Sequence, residues 1–403
     1  MRFHILGLGP IGSLVAYHLR RALPRDHSIT LIHRTQSQAN AALARGGAIH
    51  IEQQGVVTTA AGFRSEVFEG IDPSAKSPRS REETKKSGGP EDIESLFITT
   101  KAHQTVPAVQ RLLPRLSPNT TIVLLQNGMG VYEELVHDIF RNPEQRPHFI
   151  LASNTHGAFR KHTDFVHAGV GEICFGIVPD PGGRSFEAGF EDPAIPRFER
   201  RPRLSDITPV TDDPAHARYS SLRGTVAALL LLEPLNVSWQ PMSQIQTAMR
   251  RKLVANAVIN PLTAIMGCRN GEVFTTNAAK RILQRVCQEA SDAFAAQIKS
   301  DSRAWLGTLA TEGVDTERVT IERLPRSLTR PALEKEVLRV AQATRGNISS
   351  MLSDVRLGRS TEIDFMNGYL LKLGSTYRVE MPATAMLLNL VKMRSAIPID
   401  QTF

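Results

Sequence analysis

Residues 3–12 read Phe3-His4-Ile5-Leu6-Gly7-Leu8-Gly9-Pro10-Ile11-Gly12. A short apolar strand runs straight into the pattern G-x-G-x-x-G, and residues 11–23 continue with apolar positions at helical spacing. That context gives each glycine a physical reason. Gly7 allows the tight turn, Gly9 lets the backbone approach a pyrophosphate, and Gly12 permits close packing of helix on strand. The helix N-terminus adds the positive end of its dipole. An ordinary glycine-rich turn fits the letters; the placement between strand and helix points to dinucleotide binding through Gly7, Leu8, Gly9, Pro10, Ile11 and Gly12.

The next strand, residues 28–32, bears on which dinucleotide. An enzyme that binds NAD usually carries Asp or Glu about 20 residues after the glycines, where it meets the ribose 2′-hydroxyl. Here the chain reads Leu31-Ile32-His33-Arg34-Thr35-Gln36, without a carboxylate. Arg34 can form charge-assisted hydrogen bonds to a 2′-phosphate, which favours NADP, although a solvent-exposed surface arginine would look the same. Residues 96–100 and 121–125 are two further apolar strands. Strands of this kind separated by helical stretches predict a doubly wound parallel sheet, an α/β Rossmann domain.

Beyond residue 218 the character changes. Residues 244–266, 278–298, 331–342 and 361–373 are helix-like with few strand signals, so an all-α C-terminal domain is expected over 218–403, after a Rossmann domain over 1–217. Two insertions are expected in the first domain, near 71–95 and 179–217. Residues 73–90 (PSAKSPRSREETKKSGGP) and 179–214 are rich in charge, Pro and Gly. Neither stretch carries enough apolar surface to offset its ordering entropy, so both read as solvated surface loops.

The chain has 403 residues, 41% hydrophobic and 22% charged, which suits a globular protein of two domains. The net charge of +8 fits a nucleic-acid partner or a field that draws small anions. Three scattered cysteines, Cys174, Cys268 and Cys287, form neither a metal-ligand spacing nor a disulfide framework. The longest apolar run, residues 226–232, is far short of the ~20 residues of a membrane helix. A strand that begins within the first residues leaves no room for a cleaved signal. The expectation is a cytoplasmic protein without metal, membrane or nucleic-acid partner.

Chemistry concentrates in Arg250 to Asn270, RRKLVANAVINPLTAIMGCRN. Lys252, Asn256 and Asn260 fall at i, i+4 and i+8 and share one helical face. Their neighbours Leu253, Val254, Ala255, Ala257, Val258 and Ile259 mark a largely buried helix. Burial of a lysine and two amides is costly unless each is paired, although a lysine can also snorkel from a core helix to solvent. Hydride delivery to a keto carbon leaves negative charge on its oxygen, which needs a cation and a proton. A partly desolvated lysine has its pKa pushed down and can serve as that acid near neutral pH.

At this point the sequence resembles the ketopantoate reductase (2-dehydropantoate 2-reductase) family over nearly its whole length. The resemblance is carried by GLGPIG at 7–12, TKAHQ at 100–104, QNGMG at 126–130 and THGAFR at 155–160. It is strongest in RKLVANAVINPLTAIMGCRNGE from Arg251 and ISSMLSDVRLGRSTEIDFMNGYLL from Ile348. It implies reduction of 2-dehydropantoate by NADPH to (R)-pantoate, toward pantothenate and coenzyme A, in a cleft between a Rossmann and a helical domain. Lys252 would donate the proton and touch substrate. Asn256, Asn260, Asn270 and Ser350 would bind the small 2-keto acid. Residues Gly7 to Gly12, Lys101, Asn127, Ala158 and Glu362 would contact NADP.

Local pattern alone leaves plainer roles open. Asn127 fits a turn former, Lys101 a surface lysine, Ser350 a helix cap and Glu362 a surface carboxylate. Two other functions remain beside the leading one. A reductase of a different 2-keto acid would share the lysine and asparagines, whereas a catalytically inactive, RNA-binding descendant would use the basic surface and need none of them.

Overall fold

The computed structural model describes residues 1–68, 91–196, 198–209, 213–316, 319 and 321–397. They divide into two compact units: Met1–Asn127 with Val131–Ile245, and Gly128–Gly130 with Gln246–Phe403.

The first unit is built on an eight-stranded sheet. Its strands are β1 (Arg2–Leu6), β2 (Ser28–His33), β5 (Arg64–Val67), β6 (Ser95–Ile98), β7 (Thr121–Leu124), β8 (His148–Asn154), β11 (Ile173–Ile177) and β12 (Val237–Trp239), in the order β12-β11-β8-β7-β6-β1-β2-β5. Neighbours pair in parallel except β8 with β11. The central strands are buried on both faces, as a sheet covered on both sides requires: Phe3, Ile5, Ile29, Phe97 and Val123 on one, Leu6, Leu96, Ile98 and Ile122 on the other. The expected strands at residues 3, 28, 96 and 121 are therefore present, and the parallel α/β class is observed.

A second sheet was not legible beforehand. β3 (Ile49–Gln53), β4 (Val56–Ala60), β9 (Gly157–Lys161) and β10 (Asp164–Gly169) form it in the order β4-β3-β10-β9. Helix α1 (Pro10–Ala22) touches β1 and β2 of the large sheet and all four strands of the small one. Covered from two sides, it buries Leu14, Val15, Ala16, Tyr17 and Leu19 together.

The structure differs from the sequence-based expectation in two places. The stretch from 218 to 245 belongs to the first unit. Its helix His216–Leu230 packs on β6, β7 and α1, with Leu222, Val226 and Leu229 in the first core, and β12 extends the sheet beyond it. The division therefore falls at Ile245, inside the helix Met242–Met266, and not near 218. The second insertion is also more than a solvated loop. Phe186 and Ile207 join the first core and Thr208 is buried. Its charges are paired: Arg184 donates to the Ile207 carbonyl (2.8 Å) and to Asp213 (3.2 Å), and Tyr219 donates to Asp180 (2.6 Å). Charge-rich composition here reflects internal ion pairing around two apolar anchors. The first insertion, residues 73–90, lies outside the described residues.

The second unit is helical and, among the described residues, has no strand. Beyond the residues of Met242–Met266 that it contains, it comprises the helices Asn277–Thr311, Arg330–Ala343, Ser350–Arg356, Asn367–Tyr377 and Pro382–Ala396. Val258, Val286, Phe294, Leu333, Val337, Leu370 and Val391 form its core.

Candidate active site

In the first unit the candidate cofactor residues gather at one sheet edge. The glycine loop follows β1, Arg34 follows β2, Lys101 follows β6 and Asn127 follows β7, all at C-terminal ends of adjacent parallel strands. The order of connection reverses beside β1, and open α/β sheets bind ligands at such a point.

The three glycines differ in what they do. Gly7 has φ 103°, and a side chain there would meet the Thr100 backbone nitrogen at 2.5 Å. Gly12 packs on the Gly7 carbonyl and on the Thr99 side chain. Both are required by the fold. Gly9 has φ −79°, an ordinary conformation, and a Cβ added to it would meet nothing within 4 Å. Nothing in the protein demands glycine there, so the open space over Gly9 fits a ligand that approaches the backbone. Gly9 also supplies no side-chain cap to α1, which begins at Pro10. The first amides of that 13-residue helix suit an anion.

Arg34 is exposed, and its backbone amide donates to Gln38 (3.2 Å). His33 is different. Its ring is buried beside Ser65 (3.2 Å), and burial lowers its pKa. Lys101 is half-buried and precedes the turn Ala102–Gln104. Ala158 stands apart from this edge, on β9 of the small sheet.

In the second unit Lys252, Asn256 and Asn260 lie on the single helix Met242–Met266, as their spacing predicts. Burial pulls the Lys252 ammonium down to about 8, while the carboxylate of Glu362, itself 8% exposed, acts in the opposite sense. The two residues are 110 positions apart, and the fold brings them into electrostatic reach. The Asn260 amide contacts the Met366 sulfur (3.6 Å).

Two sets of hydrogen bonds fix the segments that carry the remaining substrate candidates. Thr263, one turn beyond Asn260, donates to the Ser349 hydroxyl (2.6 Å), and Ser349 caps the helix Ser350–Arg356 by accepting from Leu352 (3.1 Å). Ser349 is thus the cap, and Ser350 is the exposed first residue of that helix. Asn347, on the same approach, accepts from the Asn270 backbone amide (3.1 Å). The Asn270 side chain donates to Thr344 (2.9 Å), yet its buried Oδ1 has no protein donor among the described residues. A buried acceptor left open is costly unless a ligand or water completes it. Sequence reasoning missed Thr263 and Ser349, whose role depends on a contact 86 residues away.

Comparison with known proteins identifies the family. The model of the family described as ketopantoate reductase PanE/ApbA covers residues 3–180, and that of its C-terminal part covers residues 244–395. The chain belongs to the ketopantoate reductase family. It is 27% identical over 393 residues to the 2-dehydropantoate 2-reductase of Vibrio cholerae, spanning 97% of each chain. It is 28% identical over 301 residues to the 2-dehydropantoate 2-reductase of Escherichia coli O157:H7, covering 75% of this chain and 74% of that one. Among solved structures, a PanE/ApbA family ketopantoate reductase from Ralstonia eutropha aligns at TM-score 0.62 and 19% identity, over 98% of each chain. D-mandelate dehydrogenase with NADH and anilino(oxo)acetate aligns at TM-score 0.65 and 16% identity, also over 98% of each. These structures share the fold. No helix among the described residues is long and apolar enough to cross a membrane.

Proposed function

We propose that this ketopantoate reductase family member reduces 2-dehydropantoate to (R)-pantoate with NADPH, a step toward pantothenate and coenzyme A. The observation that carries the reading is Lys252, which shares the helix Met242–Met266 with Asn256 and Asn260, lies within electrostatic reach of the buried Glu362 and is lowered by burial to about 8. An acid of that strength holds its proton at neutral pH and releases it readily to a stronger base.

NADPH, when bound, supplies a hydride. The residues of the chain do the rest. The Lys252 ammonium hydrogen-bonds the keto oxygen, stabilises the negative charge that develops there and transfers its proton to that oxygen as the C–O double bond becomes a single bond. Glu362 keeps the amine cationic before the transfer. Asn256, Asn260, Asn270 and Ser350 orient the carboxylate and hydroxyl of the substrate. Residues Gly7 to Gly12 would hold the pyrophosphate, with Lys101, Asn127, Ala158 and Glu362 completing the cofactor site, and Arg34 would meet the 2′-phosphate.

Two measurements test this. Turnover of 2-dehydropantoate should exceed that of other branched 2-keto acids; a strong preference for another acid would keep the chemistry and replace the substrate. Titration of both nucleotides should favour NADPH over NADH on the order of 10–100-fold, and Arg34→Ala should weaken NADPH alone. Equal affinities in the unsubstituted protein would remove the NADP assignment.

A further inference from the structure

The small sheet of the first unit carries an arginine that has no role in the reading above. β9 and β10 form a tight hairpin whose turn places His162 in the left-handed region, φ 55°. In its register Arg160 stands directly opposite Phe165. The Arg160 guanidinium lies over that ring, 5.1 Å from its centroid. Phe165 is 8% exposed and belongs to the first core, so the ring is a fixed platform. From this platform Arg160 Nη2 donates to the carbonyl of Leu8 at 3.3 Å. The guanidinium is therefore anchored at the glycine loop itself.

A cation beside the loop would complement a pyrophosphate. Gly7, Leu8, Gly9, Pro10, Ile11 and Gly12 bring no charged side chain. A dinucleotide pyrophosphate carries about two negative charges, for which backbone amides and a helix dipole supply only partial positive charge. A guanidinium has a planar fork of five donors, and the bond to Leu8 engages only one of its edges. Arg160 is exposed, so the remaining donors stay accessible to a ligand. The small sheet thus places a positive charge beside the loop.

We propose that Arg160 is a cofactor-binding residue that pairs with the pyrophosphate while holding the loop at Leu8. The proposal rests on the dinucleotide reading of the glycine loop. It differs in kind from the role of Arg34, because NADH and NADPH share the pyrophosphate and only NADPH has the 2′-phosphate.

The test is calorimetric titration of NADPH and of NADH, without substrate, into the full chain and into Arg160→Ala, Arg160→Gln and Arg34→Ala. Arg160→Ala should weaken both nucleotides by the same factor, on the order of tenfold, the scale of one solvent-screened charge-assisted hydrogen bond. Arg160→Gln retains a donor for Leu8 without the charge and should lose nearly as much, which separates ion pairing from support of the loop. Melting temperatures establish that each variant is folded, and Arg160→Gln decides the matter if Arg160→Ala is not. Unchanged affinity for both nucleotides overturns the proposal. Loss confined to NADPH also overturns it, since the guanidinium would then serve the 2′-phosphate. Failure of the unsubstituted protein to bind either nucleotide would overturn the dinucleotide reading and this proposal with it, a result distinct from normal binding by an Arg160 variant.

Discussion

Asn367, fully buried, donates from its side-chain amide to the carbonyl of Ala257 at 3.1 Å. The bond answers a defect in the helix Met242–Met266, which contains Pro261. Proline has no N–H, so the carbonyl four residues earlier, that of Ala257, loses its intrahelical donor. Ala257 lies between Asn256 and Asn260, so the replacement bond supports the stretch of helix that presents both.

Asn367→Ala leaves that carbonyl buried and unpaired, a cost of about 1–3 kcal/mol. Thermal or denaturant unfolding should register the loss. Stability equal to the unsubstituted protein would show that the Ala257 carbonyl is satisfied in another way.

Gly9 separates folding from binding. Because a Cβ at this position meets nothing within 4 Å and its φ is ordinary, Gly9→Ala should leave the melting temperature unchanged. NADPH affinity should fall on the order of tenfold or more, because the methyl occupies the space a pyrophosphate needs. Gly7→Ala should instead lower stability, given φ 103° and the Thr100 backbone at 2.5 Å. A Gly9→Ala protein that binds NADPH normally would remove the glycine loop from the cofactor site.

Buried histidines set an acid limit on stability. Burial, reinforced for His4 by Arg115 and for His148 by Arg218, lowers His4 from 6.5 to about 3 and His148 to about 4. Both are at least 94% buried, with exposures of 1% and 6%. Their folded pKa values lie below the unfolded value, so the folded state binds fewer protons between the two. Their contribution is complete above about pH 6.5 and is lost as the pH falls toward 4 and then 3. At pH 5 each costs about 2 kcal/mol relative to pH 8. Urea unfolding at pH 8 and pH 5 measures this; equal stabilities at the two values would mean that these imidazoles are not held neutral.

Much of the fold was legible because its signals are local. β1, β2, β6 and β7 are apolar runs between helical stretches, and the glycine loop is read from six adjacent residues. The small sheet was not, since Val56, Val57 and Phe159 are exposed and its strands pair across more than 100 residues, as in Phe165 with Ile51. The segment containing Phe186 and Ile207 looked solvated because its charges outnumber its anchors, and composition does not reveal that Arg184 and Asp213 pair. At the site, the i, i+4, i+8 spacing of Lys252, Asn256 and Asn260 was enough to place them on one helical face. Glu362 came only from family resemblance, because no periodicity links residues so far apart. Pro261 is itself a signal, since a proline inside a buried helix predicts a donor elsewhere in the chain.

The central claim is that Lys252 is the proton donor. Steady-state kinetics of Lys252→Ala with 2-dehydropantoate and NADPH, beside direct titration of NADPH, test it most directly. The account predicts a fall in kcat of about 100-fold or more, the scale of general acid catalysis, with NADPH affinity little changed. In the unsubstituted enzyme kcat should decline as the pH rises through the region of about 8, where the acid loses its proton, and that limb should vanish in the variant. A near-normal kcat in Lys252→Ala, with the alkaline limb intact, would contradict the account.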